Sequence, residues 1–371
     1  MPWTCTSGAG WEAVPRDSER HQKGMGLMAR TDLFNAALAA SAVLSPLVPL
    51  TTAHASNIPA YTQVGTFVLP SGPWDLLPDG RILQLRGNDV FRQDALNAST
   101  FSRVGGFAPG SFPNFGSGPS PSFLRVSPDG SRLAVGNNQF NVGNAVLVGN
   151  FADLSTSTNL PVFSLTAPNF DAAWDGNGRL YITGADTSTF ASVLTRVDID
   201  PPNGPSSTRV ITGIGNGSGG VAVRNGTLYV GVGFLSGGSA GEVRAFDAAA
   251  LGSAVGSVAF NTGTFAADAL SGASLGFDRL GNLLIGGADS FGSPPDFGYA
   301  AVVDLADPAN PLRLSPAGPL VDSYRIAFNT ATDELLVAAD GTAYRYAIPA
   351  PATAATLALG GLLAFRRRRH G

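Results

Sequence analysis

One phrase constrains this chain more than any other: Val221-Ala222-Val223-Arg224-Asn225-Gly226-Thr227-Leu228-Tyr229-Val230-Gly231. Apolar residues alternate up to Asn225-Gly226 and resume after it. Asn-Gly marks a two-residue hairpin because both positions of the favoured turn need positive φ. The same phrase returns about every fifty residues. It reads Trp74 to Leu83 around Asp79-Gly80, Phe123 to Gly136 around Asp129-Gly130, and Ala173 to Ile182 around Asp175-Gly176. It returns at Leu275 to Gly286 around Asp278, and at Arg325 to Ala338. The first five hairpins are each followed by two more strand candidates. In the unit built on Asn225-Gly226 these are Glu242 to Phe246 and Val255 to Phe260. Six similar units of about four strands each predict an all-β array of one supersecondary motif. Charged residues are only 13% of the chain, against 47 glycines and 26 prolines, which suits short strands and tight turns.

The sixth unit has one strand candidate after its hairpin, Ala343 to Ile348, and then the pattern stops. A strand of the right length, Gln63 to Leu69, stands before the first unit. Pairing the two would complete the last unit and leave only short edges exposed. Over residues 56–348 this pattern resembles six-bladed β-propellers of the NHL-like and lactonase-like kind. The resemblance implies a single propeller domain with an N-terminal strand completing the last blade. Seven blades remain open, with a divergent one in Gly105 to Pro121 or Gly286 to Tyr299.

Composition excludes several chemistries. The only lysine, Lys23, precedes the repeats. Between Ser56 and Ile348 there are 15 arginines and 23 acids, a net charge of −8, which argues against nucleic-acid binding. Cys5 is the only cysteine, and His21, His54 and His370 all lie outside the repeats. The repeat region therefore has no disulfide, no histidine general base, no Ser-His-Asp triad and no histidine- or cysteine-bound zinc. The run Gly213 to Gly220 precedes a strand and has no following lysine, so it is not a phosphate loop. No catalytic residue is assigned.

The two ends read as addresses. Residues 1–24 are a disordered leader or a mis-assigned start, with Met25 and Met28 as alternative beginnings. Residues 25–55 have the three parts of a secretory signal: Arg30, the apolar Leu33 to Leu50, and Ala53-His54-Ala55 as the cleavage site after Ala55. An uncleaved anchor is the competing reading, and Pro46 and Pro49 disfavour it. Residues 349–371 hold Pro349-Ala350-Pro351, an apolar stretch from Ala354 to Phe365 that predicts a short hydrophobic helix, and Arg366-Arg367-Arg368-Arg369. The stretch is short for a bilayer span. This tail resembles the PEP-CTERM sorting signal of exported bacterial proteins, with Ala350 where that family has glutamate. The resemblance implies transient inner-membrane association, cleavage by an exosortase-type membrane peptidase, and an exported protein of the cell surface or extracellular space. The alternative is a plain membrane anchor.

Asp75, Asp171 and Asp322 stand near the starts of the predicted innermost strands. Three carboxylates at a channel mouth would suit Ca²⁺ or another divalent metal. In the lactonases that the repeats resemble, a channel metal activates water. The competing reading makes them turn or strand-entry aspartates that bind local backbone amides. Two functions follow. The first is a non-enzymatic surface or matrix module that binds an extracellular polysaccharide or envelope protein, or serves as structure. The second is a metal-dependent hydrolase of the lactonase kind.

Overall fold

The computed structural model describes residues 58–108, 121–137, 145–152, 163–165, 169–185, 191–200, 205–215, 218–233, 241–269, 271–288, 298–314, 325–339 and 341–348. Ala53, Ala55, Asp322 and the whole of 349–371 lie outside them, and so does the predicted C-terminal helix.

The described chain is a six-bladed β-propeller. A first strand, β1 (Thr62–Val68), precedes the blades. Blade 1 is β2 (Trp74–Leu76), β3 (Ile82–Arg86), β4 (Asp89–Gln93) and β5 (Phe101–Gly106). Blade 2 is β6 (Pro121–Val126), β7 (Arg132–Asn137), β8 (Ala145–Asn150) and β9 (Phe163–Leu165). Blade 3 opens with β10 (Asp171–Trp174), β11 (Leu180–Ala185), β12 (Ser192–Asp198) and β13 (Ser206–Thr212). Blade 4 opens with β14 (Ser218–Arg224), β15 (Thr227–Val232) and β16 (Gly241–Asp247). The chain then makes helix α1 (Ala248–Ser253) and the two-residue β17 (Val258–Ala259) before returning to blade 4 as β18 (Thr264–Ala269). Blade 5 is β19 (Ser274–Phe277), β20 (Leu283–Ala288), β21 (Gly298–Val303) and β22 (Leu312–Leu314). Blade 6 has β23 (Arg325–Asn329), β24 (Glu334–Ala339) and β25 (Thr342–Ala347), and β1 pairs antiparallel with β25, Thr62 opposite Ala347 and Val68 opposite Thr342.

Turn chemistry sets the hairpins. Asn225 and Gly226 have φ of 48° and 77°, the conformation expected from that dipeptide. In blades 1, 2, 3 and 5 the inner turn is four residues, closed by the amides of Gly80, Gly130, Gly178 and Gly281 onto the carbonyls of Leu77, Ser127, Asp175 and Asp278. The aspartates around which the sequence places these hairpins hold the turns. Asp175 accepts from the backbone N–H of Asn177 and Arg179 at 2.8 and 2.9 Å, and Asp278 from that of Asn282 at 2.8 Å.

The core is divided among the blade junctions. Both faces of a blade are covered, so a strand such as β3 sends Leu83 and Leu85 toward blade 2 and Ile82 toward blade 6. Among the described residues six apolar clusters result, each filled from two adjacent blades, including one in which Phe67 and Ala343 meet Trp74 and Ile82. The innermost strands follow suit: β2 lies beside β6, β6 beside β10, β10 beside β14, β14 beside β19, β19 beside β23, and β23 beside β2.

One strand expectation fails. Val255 to Phe260 is not the fourth strand of blade 4; β18 is, pairing with β16. The intervening residues form a strap toward blade 3, where β17 adds a parallel edge to β13. Asp247 causes the detour. Its carboxylate caps α1 by accepting from Ala249 N–H at 2.8 Å, which ends β16 and starts a helix in the alanines that follow. Tyr181 and Arg196 of blade 3 then bond the strap, to the carbonyls of Ala248 (3.2 Å) and Leu251 (2.8 Å).

Candidate functional site

The innermost strand of any propeller blade has a free edge, whose N–H and C=O groups face the central channel without a strand partner. Buried groups of this kind need partners. In this chain each blade supplies them to its neighbour, through charged and polar side chains of the inner strands and, between blades 4 and 5, also through backbone directly.

Asp75 on β2 accepts from the Val126 N–H of blade 2 at 2.9 Å, and its other oxygen pairs with the Arg325 guanidinium of blade 6. Arg125 on β6 donates through Nε to the Ala172 carbonyl of blade 3 at 2.8 Å, and pairs with Asp171. Asp171, the first residue of β10, accepts from the Val221 N–H of blade 4 at 3.3 Å and from its neighbour Ala172 N–H at 2.8 Å. Thr183 accepts from Asp171 N–H at 3.2 Å and donates to the Gly219 carbonyl at 2.6 Å. Blade 4 reaches blade 5 through the Gly220 N–H and the Gly272 carbonyl, 2.6 Å apart, and through Arg224 on the Asp278 carbonyl at 2.8 Å. Ser274 on β19 accepts from the Ile326 N–H of blade 6 at 3.2 Å. Asn329 on β23 donates to the Gly80 carbonyl of blade 1 at 2.8 Å. Every junction between adjacent blades therefore carries a polar link that starts from an inner strand.

The charges in this ring alternate: Arg325, Asp75, Arg125, Asp171. Arg125 and Asp171 are the more buried pair, with side chains 10% and 5% exposed. Burial pushes the Arg125 pKa down, repulsion from Arg325 adds to this, and Asp171 and Asp75 pull it back up. Guanidinium stays protonated under such pressure, so the group remains a cation held by its carboxylates.

The sequence named Asp75 and Asp171 but not their level. Asp75 stands two residues before the residue that opens its turn, Leu77, whereas Asp171 stands four before Asp175. The two carboxylates therefore lie at different heights on their strands, with Arg125 of the intervening blade between them. Each already accepts from a guanidinium and a backbone N–H. A dication needs several free oxygen ligands and net negative charge, and a set of two arginines and two aspartates offers neither, so these two carboxylates as placed do not fit the implied metal. Among the described residues no three His, Cys, Asp or Glu side chains gather in a way that would hold one. Asp322, the third residue of the expected set, is outside the described chain.

Arg125 and Arg325 are what sequence reading missed. Both lie within the hairpin phrases. The available signal was a cation at a strand position whose neighbours are apolar, in a strand that must be buried; such a charge requires a counter-charge nearby.

No family model matches this chain, and no curated protein matches it. Among solved structures, a chain of a mitotic checkpoint complex is similar at 13% identity and a TM-score of 0.49, covering 85% of this chain and 99% of its own. A TolB structure from Agrobacterium tumefaciens is similar at 16% identity and a TM-score of 0.43, covering 66% of this chain and 80% of its own. Similarity at this level carries no inference about activity.

Proposed function

We propose that this protein is an exported cell-surface or extracellular-matrix propeller, a non-enzymatic binding or structural module whose ring is closed by β1 as the fourth strand of blade 6. The β1–β25 pairing supports the closure. The observation that carries the non-enzymatic reading is the inner ring itself. Asp75 and Asp171, the described acids best placed for channel chemistry, hold blades together. Export rests on the signal-like stretch ending at Ala53-His54-Ala55, and sorting by an exosortase-type peptidase rests on Pro349-Ala350-Pro351 and Arg366 to Arg369. The partners in this reading are that peptidase, during transient passage through the inner membrane, and an extracellular polysaccharide or envelope protein afterwards.

Intact mass of the native protein from membrane, surface and medium fractions tests the address. The reading expects a species beginning near Ser56 and ending within 349–353. A membrane species that keeps Arg366 to Arg369 makes the tail an ordinary anchor and removes sorting from the account.

The competing reading is a lactonase-like hydrolase with Ca²⁺ or another divalent metal on Asp75, Asp171 and Asp322. It requires Asp75 and Asp171 to exchange their arginines for the metal. A stoichiometric divalent metal in the purified protein, lost together with hydrolytic activity in Asp171→Ala, would establish it in place of the binding module.

A further inference from the structure

The two arginines of the inner ring are not equally satisfied. Arg125 uses all three of its nitrogens: Nε on Ala172, Nη1 on Leu124 at 2.7 Å, and Nη2 on Asp171. Arg325 bonds Asp75 through Nη2, and its Nε is buried with no partner among the described residues. Its side chain, 15% exposed, keeps a face to solvent. The guanidinium carbon lies 5.4 Å from the ring centre of Trp74, whose side chain floors the site. Among the described residues Arg86, Arg132 and Arg244 also carry an unpaired buried nitrogen, but they lie on β3, β7 and β16, away from the inner strands.

A guanidinium offers a rigid fork of N–H donors that matches the two oxygens of a carboxylate. Arg325 has that fork half used. Its present partner is not bound to it alone, because Asp75 also accepts from Val126 N–H. Asp75 would keep a partner if Arg325 turned to another anion. A second cation, Arg125, adds attraction from the next blade but one.

We propose that Arg325 is a binding site for a carboxylate-bearing ligand, such as the uronate unit of an acidic saccharide, which takes the place of Asp75 on the guanidinium fork. The floor of Trp74 and the cation of Arg125 are shared by bound and free states. The exchange swaps one carboxylate for another on the same cation, so affinity is set by the competition with Asp75. The assignment rests on the binding-module reading and names the ligand class for it.

The test is calorimetric titration of the full chain with D-galacturonate, with D-galactose as the neutral control and acetate as a carboxylate without a sugar. Galacturonate is expected to bind and galactose not. Arg325→Gln should weaken binding by at least about tenfold, since it removes a charge-assisted pair. Asp75→Asn should tighten it by at least about tenfold, because it removes the competing charge while keeping an acceptor for Val126. A purely structural Arg325 predicts no tightening in that variant. Equal binding of acetate and galacturonate assigns the site to small free carboxylates, and preference for galacturonate assigns it to a saccharide. Equal binding of galactose, no binding of either carboxylate, or no change in Asp75→Asn overturns the proposal. If Arg325→Gln does not fold, the Arg325 Nε–H resonance of the native protein replaces it: a saturable shift with galacturonate supports the site, and none overturns it. The binding-module reading fails by a separate readout, substrate turnover by the metal-loaded protein, which these titrations do not score.

Discussion

The junction of blades 2 and 3 and the junction of blades 4 and 5 solve one problem in opposite ways. Both must satisfy the free inner edge of a strand while bringing two sheets together. Blades 2 and 3 use side chains: Arg125 spans the gap, bonds Ala172 and pairs with Asp171. Blades 4 and 5 use the absence of side chains. Gly219, Gly220 and Gly231 let the blade 4 backbone meet Gly272 directly, and a Cβ at Gly231 would sit 2.5 Å from the Gly272 oxygen. One junction depends on a buried charge finding its partner, the other on three positions staying bare. The glycine run that the sequence rejects as a phosphate loop finds its use here.

Breaking the charged junction should have the largest effect. Arg125→Ala leaves Asp171 buried without its counter-ion and should cost about 3–5 kcal/mol in denaturant unfolding. The double variant Arg125→Ala, Asp171→Asn keeps an acceptor for Val221 and removes the unpaired charge, so it should recover part of that loss, which a purely steric role for Arg125 would not allow. At the glycine junction, Gly231→Ala should cost about 1–3 kcal/mol through overpacking against backbone that cannot move aside. The strap of blades 3 and 4 comes next. Asp247→Ala removes the α1 cap and should cost about 1 kcal/mol, with faster amide exchange in Ala248–Ser253 and both inner junctions unchanged.

The smallest effect is a control at a turn outside both junctions. The hydroxyl of Ser127, then the N–H and hydroxyl of Ser131, hold the Asp129 pKa down to about 2. Its charged form is favoured in the folded state. The contribution is therefore complete above the ordinary carboxylate range and is lost as pH falls through about 2. Carboxyl NMR should find the low midpoint, and Ser127→Ala should raise it.

Much of the fold was legible because it is local. Asn225-Gly226, the glycines that close the turns of blades 1, 2, 3 and 5, and the alternation on either side of them fix those hairpins within a dozen residues. The fourth strand of blade 4 was not legible. Val255 to Phe260 has better strand composition than Thr264–Ala269, and the deciding residue is Asp247, whose capping role depends on what its carboxylate reaches. The inner ring was half legible: the aspartates stood out as acids near strand starts. Their partners are distant in sequence, Asp75 with Arg325 and Asp171 with Arg125, and only the ring geometry brings them together. Position near the strand starts suggested a shared metal for these acids, and what it could not show is that Asp75 and Asp171 each pair with an arginine.

The central claim is that side chains of one blade satisfy the inner edge of the next. Native-state hydrogen exchange of the Val126, Val221 and Ile326 amides tests it most directly. These are inner-edge groups, held by Asp75, Asp171 and Ser274. The account predicts that all three exchange only with global unfolding, and that Ser274→Ala releases Ile326 while leaving Val126 and Val221 protected. Exchange of these amides at the rate of an open strand edge in the wild-type protein would contradict it.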